Sequence, residues 1–175
     1  CSEYLIEPSS INELIYYVNY SKLNKLECRI IGAGSNTLIK DNYLSGLTIC
    51  TKKLRSLQFD PISGIIKADC GVMLPNLSNH LAKNGLQGGE WTIGIPGTIG
   101  GAIFMNAGSG NFSISQNLLS VKAIDIKTLK IINFKKDDLV FKYRYSQFQK
   151  SNLMIISAKF MFEPNGNPKI INEKT

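Results

Sequence analysis

The spacing of apolar residues predicts two helices in the first half of the chain. In the first helix, apolar residues recur three and four positions apart, at Ile11, Leu14, Ile15 and Val18. Ser10 is a suitable N-cap for this helix, and Glu13 stands where a capping box places a carboxylate. The second helix begins near Pro75, which the first turn tolerates, and is expected to bury Leu74, Leu77 and Leu81. Gly85 is expected to end it in a left-handed conformation.

Short apolar runs between polar turns predict the strands. They fall at residues 28–31, 37–39 and 47–50, at two runs within 57–69 around a turn at 61–64, and at 121–125, 131–132 and 154–162. Residues 136–139 are expected to form one helical turn. This mixture of helices and short strands predicts an α+β fold with two lobes, residues 1–53 and 54–164, followed by a loose polar tail at 165–175.

The composition indicates a folded domain without membrane or nucleic-acid contacts. Hydrophobic residues make up 43% and charged residues 19%, which permits a packed core. The sequence has no apolar run of about 18 residues, so we expect no membrane span. Its start lacks the basic and apolar regions of a signal peptide. The net charge of +7 would suit a nucleic-acid binder. However, the lysines are scattered and no aromatic residues alternate with them, which favours a solvated basic surface.

The four cysteines and the single histidine do not match the pattern of a metal site. No C-x-x-C pair occurs, and His80 has no histidine partner. Cys28, Cys50 and Cys70 lie in or beside apolar runs, which is typical of reduced core thiols. We therefore expect no metal and a cytoplasmic location.

A glycine-rich turn follows the strand predicted at 28–31. It consists of Gly32-Ala33-Gly34-Ser35-Asn36, and such glycines let backbone N–H groups approach a phosphate because no Cβ intervenes. A dinucleotide fingerprint would need a further glycine and an immediate helix, and a Walker loop would need Gly-Lys-Ser/Thr. Neither follows here. Taken alone, the pattern favours a plain strand–turn–strand connection, although Ser35 and Asn36 are able to bond a phosphate or a ribose.

A second glycine-dense segment consists of Gly94-Ile95-Pro96-Gly97-Thr98-Ile99-Gly100-Gly101-Ala102 and continues to Met105-Asn106-Ala107-Gly108. Gly97-Thr98 is typical of the start of a short helix whose free N–H groups face an anion. Gly100 and Gly101 would admit a flat ring or a pyrophosphate. Because glycines destabilise helices, their density here favours a binding site over a tightly packed turn of backbone.

Together with a third segment, the two glycine loops resemble one enzyme family. The third segment is Phe141-Lys142-Tyr143-Arg144-Tyr145-Ser146-Gln147-Phe148, and all three have the order and spacing found in UDP-N-acetylenolpyruvoylglucosamine reductases. The resemblance covers nearly the whole chain. It implies the two-lobed FAD-binding fold of the vanillyl-alcohol oxidase type (PCMH type), with FAD between the lobes and NADPH as reductant. It also implies a UDP-sugar substrate, a role in peptidoglycan synthesis and cell wall biogenesis, and a monomer.

The resemblance assigns roles to particular residues. The cofactor-binding residues it implies are Gly32, Gly34, Ser35, Asn36, Ile95, Pro96, Gly97, Thr98, Gly100, Gly101, Asn106 and Ala107. Tyr143 and Arg144 match the family's substrate-side pair. Arg144 is the expected catalytic residue, because a fixed guanidinium stabilises the enolate charge that develops on a carboxylate substrate. Without the resemblance, a surface ion pair of Arg144 with Asp137 or Asp138 would be preferred.

Two other functions stay open. The first is another FAD enzyme of the same fold, such as a sugar or alcohol oxidase. Against it, no histidine lies near the glycine loops for covalent flavin attachment. A non-catalytic nucleotide- or nucleic-acid-binding module is the other, and only the charge favours it. Members of the family usually have a strand before the segment matched here and a C-terminal substrate-binding domain after it. We expect both to be missing and this fragment to be inactive.

Overall fold

The computed structural model describes residues 2–39 and 41–164, so the predicted polar tail at 165–175 lies outside the described residues. Its strands are β1 (Ser2–Ile6), β2 (Cys28–Ile31), β3 (Leu44–Cys50), β4 (Leu57–Asp60), β5 (Ile65–Asp69), β6 (Gly108–Ser109), β7 (Phe112–Ser113), β8 (Leu118–Asp125), β9 (Ile131–Lys135), β10 (Phe141–Lys142), β11 (Tyr145–Ser146) and β12 (Leu153–Met161). Its α-helices are α1 (Ile11–Leu23), α2 (Leu74–Lys83) and α3 (Ile99–Met105). Among the described residues, no helix is long and apolar enough to cross a membrane.

The first sheet holds three parallel strands in the order β1-β3-β2. Helix α1 contributes Leu14 and Val18 to the apolar core beside this sheet, and both are fully buried. As predicted, the Ser10 hydroxyl caps α1 by accepting the N–H of Glu13 at 3.1 Å. The carboxylate of Glu13, however, accepts from the N–H and hydroxyl of Ser9 instead of returning to Ser10. Strand β1 was missed by the sequence analysis, because three of its five residues are exposed and its apolar pattern is weak.

The second sheet holds five antiparallel strands in the order β4-β5-β12-β8-β9. The hairpin predicted within 57–69 is confirmed by β4 and β5, and the final predicted strand is confirmed by β12. The central position of β12 explains its sequence, since every residue from 154 to 158 is buried and a strand covered on both faces has a continuous apolar run. The helical turn predicted at 136–139 is present as a 3₁₀ turn at Lys136–Asp138.

The prediction of a strand at residues 37–39 is wrong. Residues 37–39 carry no strand in the structure. Instead, the N–H of Thr37 donates to the carbonyl of Gly34 at 3.2 Å and closes a turn. Leu38 is 99% exposed and Ile39 is 52% exposed, so these apolar side chains pack against no sheet. A short apolar run predicts a strand only when a neighbouring strand is available to pair with it.

One continuous core joins the two sheets. The buried apolar cluster extends from Leu14 under the first sheet to Phe160 in the second. Helix α2 contributes its predicted stripe, Leu74, Leu77 and Leu81, and ends at Lys83. Gly85, just after the C-cap, has the predicted left-handed conformation with φ +64°. The 3₁₀ turn Thr51–Lys53 connects the sheets, while the division into lobes at residues 53 and 54 stays a prediction.

Candidate functional site

A cleft of about 760 Å³ opens where the two glycine segments meet. This volume lies within the range of roughly 300–1,000 Å³ found for small-molecule sites. All the predicted site residues except Asn106 and Tyr143 lie on its wall, namely Gly32, Gly34, Ser35, Asn36, Ile95, Pro96, Gly97, Thr98, Gly100, Gly101, Ala107 and Arg144. The structure therefore brings together residues from three parts of the chain that are far apart in sequence.

The first glycine loop carries backbone N–H groups that have no acceptor within the protein among the described residues. Gly34 adopts φ +77°, a conformation that residues with a Cβ rarely adopt. The turn that follows leaves the N–H groups of Gly34, Ser35 and Asn36 without an acceptor among the described residues. Successive N–H groups in such a turn form a concavity that attracts anions. These donors are available to a ligand at the cleft.

The two glycine loops pack directly against each other. The hydroxyl of Ser35 donates to the carbonyl of Pro96 at 2.9 Å. A Cβ on Gly32 would overlap the hydroxyl oxygen of the buried side chain Thr98. The glycine at position 32 is thus explained by the close approach of the second loop and not by room for a ligand.

The expectation that α3 begins with free N–H groups is wrong. The N–H groups of Ile99 and Gly100 each donate to a carbonyl of the preceding 70–72 segment at 2.8 Å. The N–H of Gly101 donates to the hydroxyl oxygen of Thr98, the N-cap residue of α3, at 3.4 Å. The first three N–H groups within this helix are consequently satisfied by the protein itself and offer little to an anion.

The paired glycines of α3 differ in what surrounds them. A Cβ on Gly100 would lie 2.9 Å from the Cβ of Cys70, so this glycine is required by packing. A Cβ on Gly101 would lie 3.6 Å from the hydroxyl of Thr98 and near no other atom. Of the two residues predicted to admit a flat ring, only Gly101 therefore leaves free space beside the cleft.

Arg144 lies at the cleft, but its predicted partner Tyr143 does not. The Tyr143 side chain is 89% exposed and lies off the wall, with its ring centroid 5.4 Å from the guanidinium carbon of Arg144. Within residues 2–39 and 41–164, Arg144 forms no ion pair with Asp137 or Asp138. The alternative of a surface ion pair is therefore wrong.

Asn106 is buried behind the wall. It ends α3 in the left-handed conformation with φ +44° and is 8% exposed. Its side-chain amide donates to the carbonyl of Lys142 at 2.9 Å, while its Oδ1 has no hydrogen-bond partner among the described residues. Asn106 thus joins α3 to the segment that carries Arg144, although it was predicted to contact a cofactor directly.

Part of the wall was not predicted from the sequence. Beside residues within the glycine segments and at their ends, it includes Ile30, Ile31, Thr51, Cys70, Leu74, Phe104, Met105, Leu153, Met154 and Ile155. Most are apolar residues of strands and helices with no local motif, so only their position beside the loops identifies them. They give the cleft an apolar floor.

The electrostatic character of the cleft suits an anion. Among the residues that the structure describes, its wall carries one cation, Arg144, and no carboxylate. A smaller cleft of about 450 Å³ shares Ala33 with it and is lined by Lys52 and Arg55. These two cations raise the local potential beside the first glycine loop.

We expect the thiol of Cys70 to resist alkylation in the folded chain. Burial raises the pKa of this thiol to about 12, so little of the reactive thiolate exists near neutral pH. Peptide mapping after iodoacetamide treatment should find Cys70 unmodified in the native chain and modified in urea. The partly exposed Cys28 is the internal control and should react before Cys70. Rapid modification of Cys70 in a fully folded chain would contradict its burial.

The same thiol predicts a dependence of stability on pH. The pKa of Cys70 in the folded chain, about 12, lies above its ordinary value of 9.0. The unfolded chain therefore releases this proton first, and unfolding becomes more favourable as the pH rises from about 9 toward 12. A Cys70→Ala variant should lose this part of the alkaline destabilisation in urea titrations.

Comparison with known families identifies an FAD binding domain. Residues 2–134 match the model of the family described as FAD binding domain. A UDP-N-acetylenolpyruvoylglucosamine reductase of Prochlorococcus marinus subsp. pastoris is 58% identical over 174 residues, which cover 99% of this chain and 59% of that protein. The enzyme of the same name from a Synechococcus species is 38% identical over 174 residues, with 99% and 58% covered. The chain thus spans about three fifths of the length of these curated relatives.

Solved structures confirm the predicted fold. The UDP-N-acetylenolpyruvylglucosamine reductase from Thermus caldophilus superposes with a TM-score of 0.80 at 22% identity, covering 97% of this chain and 59% of that one. A grass pollen allergen with glucose dehydrogenase activity superposes with a TM-score of 0.68 at 16% identity, covering 91% and 35%. These likenesses concern the fold, which is the α+β, two-lobed FAD-binding fold of the vanillyl-alcohol oxidase type.

Proposed function

Because this chain belongs to the FAD binding domain family, we propose that its cleft binds FAD. FAD needs donors for an anionic pyrophosphate and an apolar surface for a flat ring system, joined by a groove. The single observation that carries the proposal is that one cleft holds both, with free N–H groups on the first glycine loop and apolar side chains beyond them.

We place the pyrophosphate on the first glycine loop. The N–H groups of Gly34, Ser35 and Asn36 have no acceptor among the described residues, whereas those of Ile99 and Gly100 at the start of α3 are already satisfied. The nearby cations Lys52 and Arg55 would add a favourable electrostatic contribution without direct contact. The second loop then acts mainly as the support that holds the first loop in place, through the bond between Ser35 and Pro96.

We place the ring system over α3 and β12. The free space beside Gly101 would let a flat ring approach the helix backbone. The surrounding wall is apolar and includes Met105, Ala107, Met154 and Ile155, which matches the predominantly apolar lining of cofactor sites. This placement puts Arg144 close to the ring.

We extend the proposal to the reaction that the family resemblance implies, the NADPH-dependent reduction of UDP-N-acetylglucosamine enolpyruvate to UDP-N-acetylmuramate; the relatives are named UDP-N-acetylenolpyruvoylglucosamine reductases. FAD, when bound, supplies the hydride-transfer chemistry. Arg144 would hold the substrate carboxylate and offset the negative charge that develops on it. The 58% identity to the Prochlorococcus enzyme supports this choice, while a sugar oxidase has support from the fold alone, at 16% identity. A cytoplasmic location and a monomeric state remain predictions.

The first test is a titration of the flavin-free chain with FAD. We expect saturable binding, seen as a shift in the visible flavin spectrum, and a rise in the free energy of unfolding. At a free FAD concentration of 100 times Kd this rise should be about 2.7 kcal/mol. Riboflavin, which lacks the pyrophosphate, is the control and should bind more weakly if the free N–H groups hold phosphate.

Two results would count against the proposal. A folded chain whose unfolding is unaffected by FAD does not bind it. Equal affinity for FAD and riboflavin would leave the cleft as a ring site but would remove the role of the first glycine loop in holding phosphate.

A further inference from the structure

The backbone of Arg144 is held in an unfavourable conformation. Arg144 lies with Tyr143 at the tip of the hairpin formed by β10 and β11, and its φ is +52°. A left-handed backbone is unfavourable for a residue with a Cβ. Such a conformation persists only when neighbouring groups stabilise it, and the groups that do so determine where the guanidinium can lie.

One side chain reaches both this strained residue and the cleft wall. The side-chain amide of Gln149 donates to the carbonyl of Phe104 at 2.9 Å and to the carbonyl of Arg144 at 3.1 Å. Both acceptors are carbonyl oxygens, so the nitrogen of the amide must face them. Phe104 belongs to α3 and lines the cleft. Gln149 therefore connects the backbone of Arg144 directly to the helix that forms the cleft wall.

Other contacts already attach the hairpin to α3. The buried hydroxyl of Ser146 donates to the Phe104 carbonyl at 2.7 Å, and Asn106 donates to the carbonyl of Lys142 at 2.9 Å. Neither touches Arg144. Loss of Gln149 would therefore leave the hairpin attached and would release mainly the backbone of Arg144.

We propose that Gln149 is a positioning residue that holds the Arg144 guanidinium at the cleft through the carbonyl of Arg144. The inference rests on the proposed FAD site, because it places the guanidinium beside the flavin. A nearby cation stabilises the negative charge of a reduced flavin. Gln149 then influences the midpoint potential of the bound flavin without touching it.

The test is the midpoint potential of FAD bound to the chain, measured with redox dyes. Arg144→Gln removes the cation and should weaken the binding of reduced FAD relative to oxidised FAD by about tenfold. For a two-electron couple, this corresponds to a midpoint potential about 30 mV more negative. Gln149→Leu removes both donors without changing charge, and Gln149→Glu keeps the shape but replaces donors with acceptors. Both should reproduce most of the Arg144→Gln shift.

Gln147→Glu is the matched control for charge. Gln147 lies in the same 3₁₀ turn, and its Oε1 accepts the N–H of Val140 at 2.9 Å. A carboxylate preserves that bond, so this variant introduces the same negative charge without removing a donor. It should change the potential by much less than Gln149→Glu does.

A double-mutant cycle separates positioning from general loosening. If Gln149 acts through Arg144, Gln149→Leu should cause no further shift of the potential in an Arg144→Gln background. Additive shifts would overturn the inference. A wild-type midpoint potential in Gln149→Leu, together with a shifted potential in Arg144→Gln, would also overturn the inference. In that case the proposed FAD site would still stand. An unshifted potential in Arg144→Gln would also overturn it, since the guanidinium would then not lie at the flavin.

A second measurement does not need FAD. Trypsin cleaves after arginine in an extended backbone, so the bond after Arg144 should be cut several times faster in Gln149→Leu than in the wild type or in Gln147→Glu. If the chain binds no FAD, the proposed function fails, and this rate alone decides the inference. An unchanged cleavage rate in Gln149→Leu would overturn the inference. A faster rate would support the proposal that Gln149 stabilises the backbone of Arg144.

Discussion

Gly71→Ala should destabilise the chain by about 3 kcal/mol or more, the largest loss of stability that we expect from a single added methyl group. A Cβ at this position would overlap the carbonyl oxygen of Thr51 and lie 2.5 Å from that of Leu54. Both are backbone atoms of the turn that connects the two sheets, and the N–H of Gly71 donates to the Leu54 carbonyl at 2.8 Å. The methyl group can be accommodated only by moving the connection itself.

Thermal unfolding measures this effect. For a chain of this length, 3 kcal/mol corresponds to a decrease in Tm of about 6–12 °C. Gly101→Ala is the matched control, because its Cβ would meet only the Thr98 hydroxyl at 3.6 Å and alanine favours a helix. It should leave the Tm unchanged or slightly higher. Equal Tm values for the two variants would contradict the prediction, because they would show that the backbone at Thr51 moves without cost to accommodate the added methyl group.

Gly32→Ala should lower the affinity for FAD by about 10- to 100-fold, which corresponds to about 1.4–2.7 kcal/mol. The added Cβ would overlap the hydroxyl oxygen of Thr98, which is 1% exposed and has no room to rotate away. The first loop must then move off the second, which would displace the free N–H groups that we propose hold the pyrophosphate. The affinity for FAD, from the same spectral titration, measures the effect.

Two variants control for this prediction. Gly94→Ala adds a methyl group on the same cleft wall without displacing any protein atom, since nothing lies within 4 Å of it, and should lower the affinity less than Gly32→Ala does. Thr98→Ala removes the hydroxyl that the new methyl group would meet, leaving the nearest atom at 3.5 Å. Gly32→Ala should therefore cost less affinity in a Thr98→Ala background than in the wild type. Additive effects of the two substitutions would show that the loops do not depend on this contact.

Both predictions concern glycines that allow two segments of the chain to approach each other closely, because glycine has no Cβ. Both glycine segments were selected from the sequence because glycine suits a ligand site, yet Gly32 in the first and Gly100 in the second face protein atoms, of Thr98 and Cys70 respectively. Gly34, in contrast, forms a turn whose N–H groups have no acceptor among the described residues, and Gly101 leaves open space at the cleft. Glycine density in a sequence thus indicates close packing around a site as much as contact with its ligand.

Local interactions explain what the sequence by itself determined. The cap of α1 at Ser10, the buried stripe of α2, the left-handed Gly85 just after it and the hairpin of β4 and β5 depend on residues within a few positions of one another. Periodicity and turn chemistry describe such short-range interactions well. The two glycine loops and Arg144 were also found from the sequence, because each belongs to a compact motif.

Only the tertiary structure decided the features that depend on distant partners. Residues 37–39 were predicted as a strand, and no neighbouring strand pairs with them. The N–H groups at the start of α3 were expected to be free, and the 70–72 segment satisfies two of them. Two further features have no signal in the local sequence. One is the apolar floor that β12 contributes to the cleft, and the other is the hydrogen bond from Gln149 to the carbonyl of Arg144. The physical reason is common to all of these: a hydrogen bond or a packing contact depends on which groups the fold brings within a few ångströms, and the sequence around one partner does not contain the other.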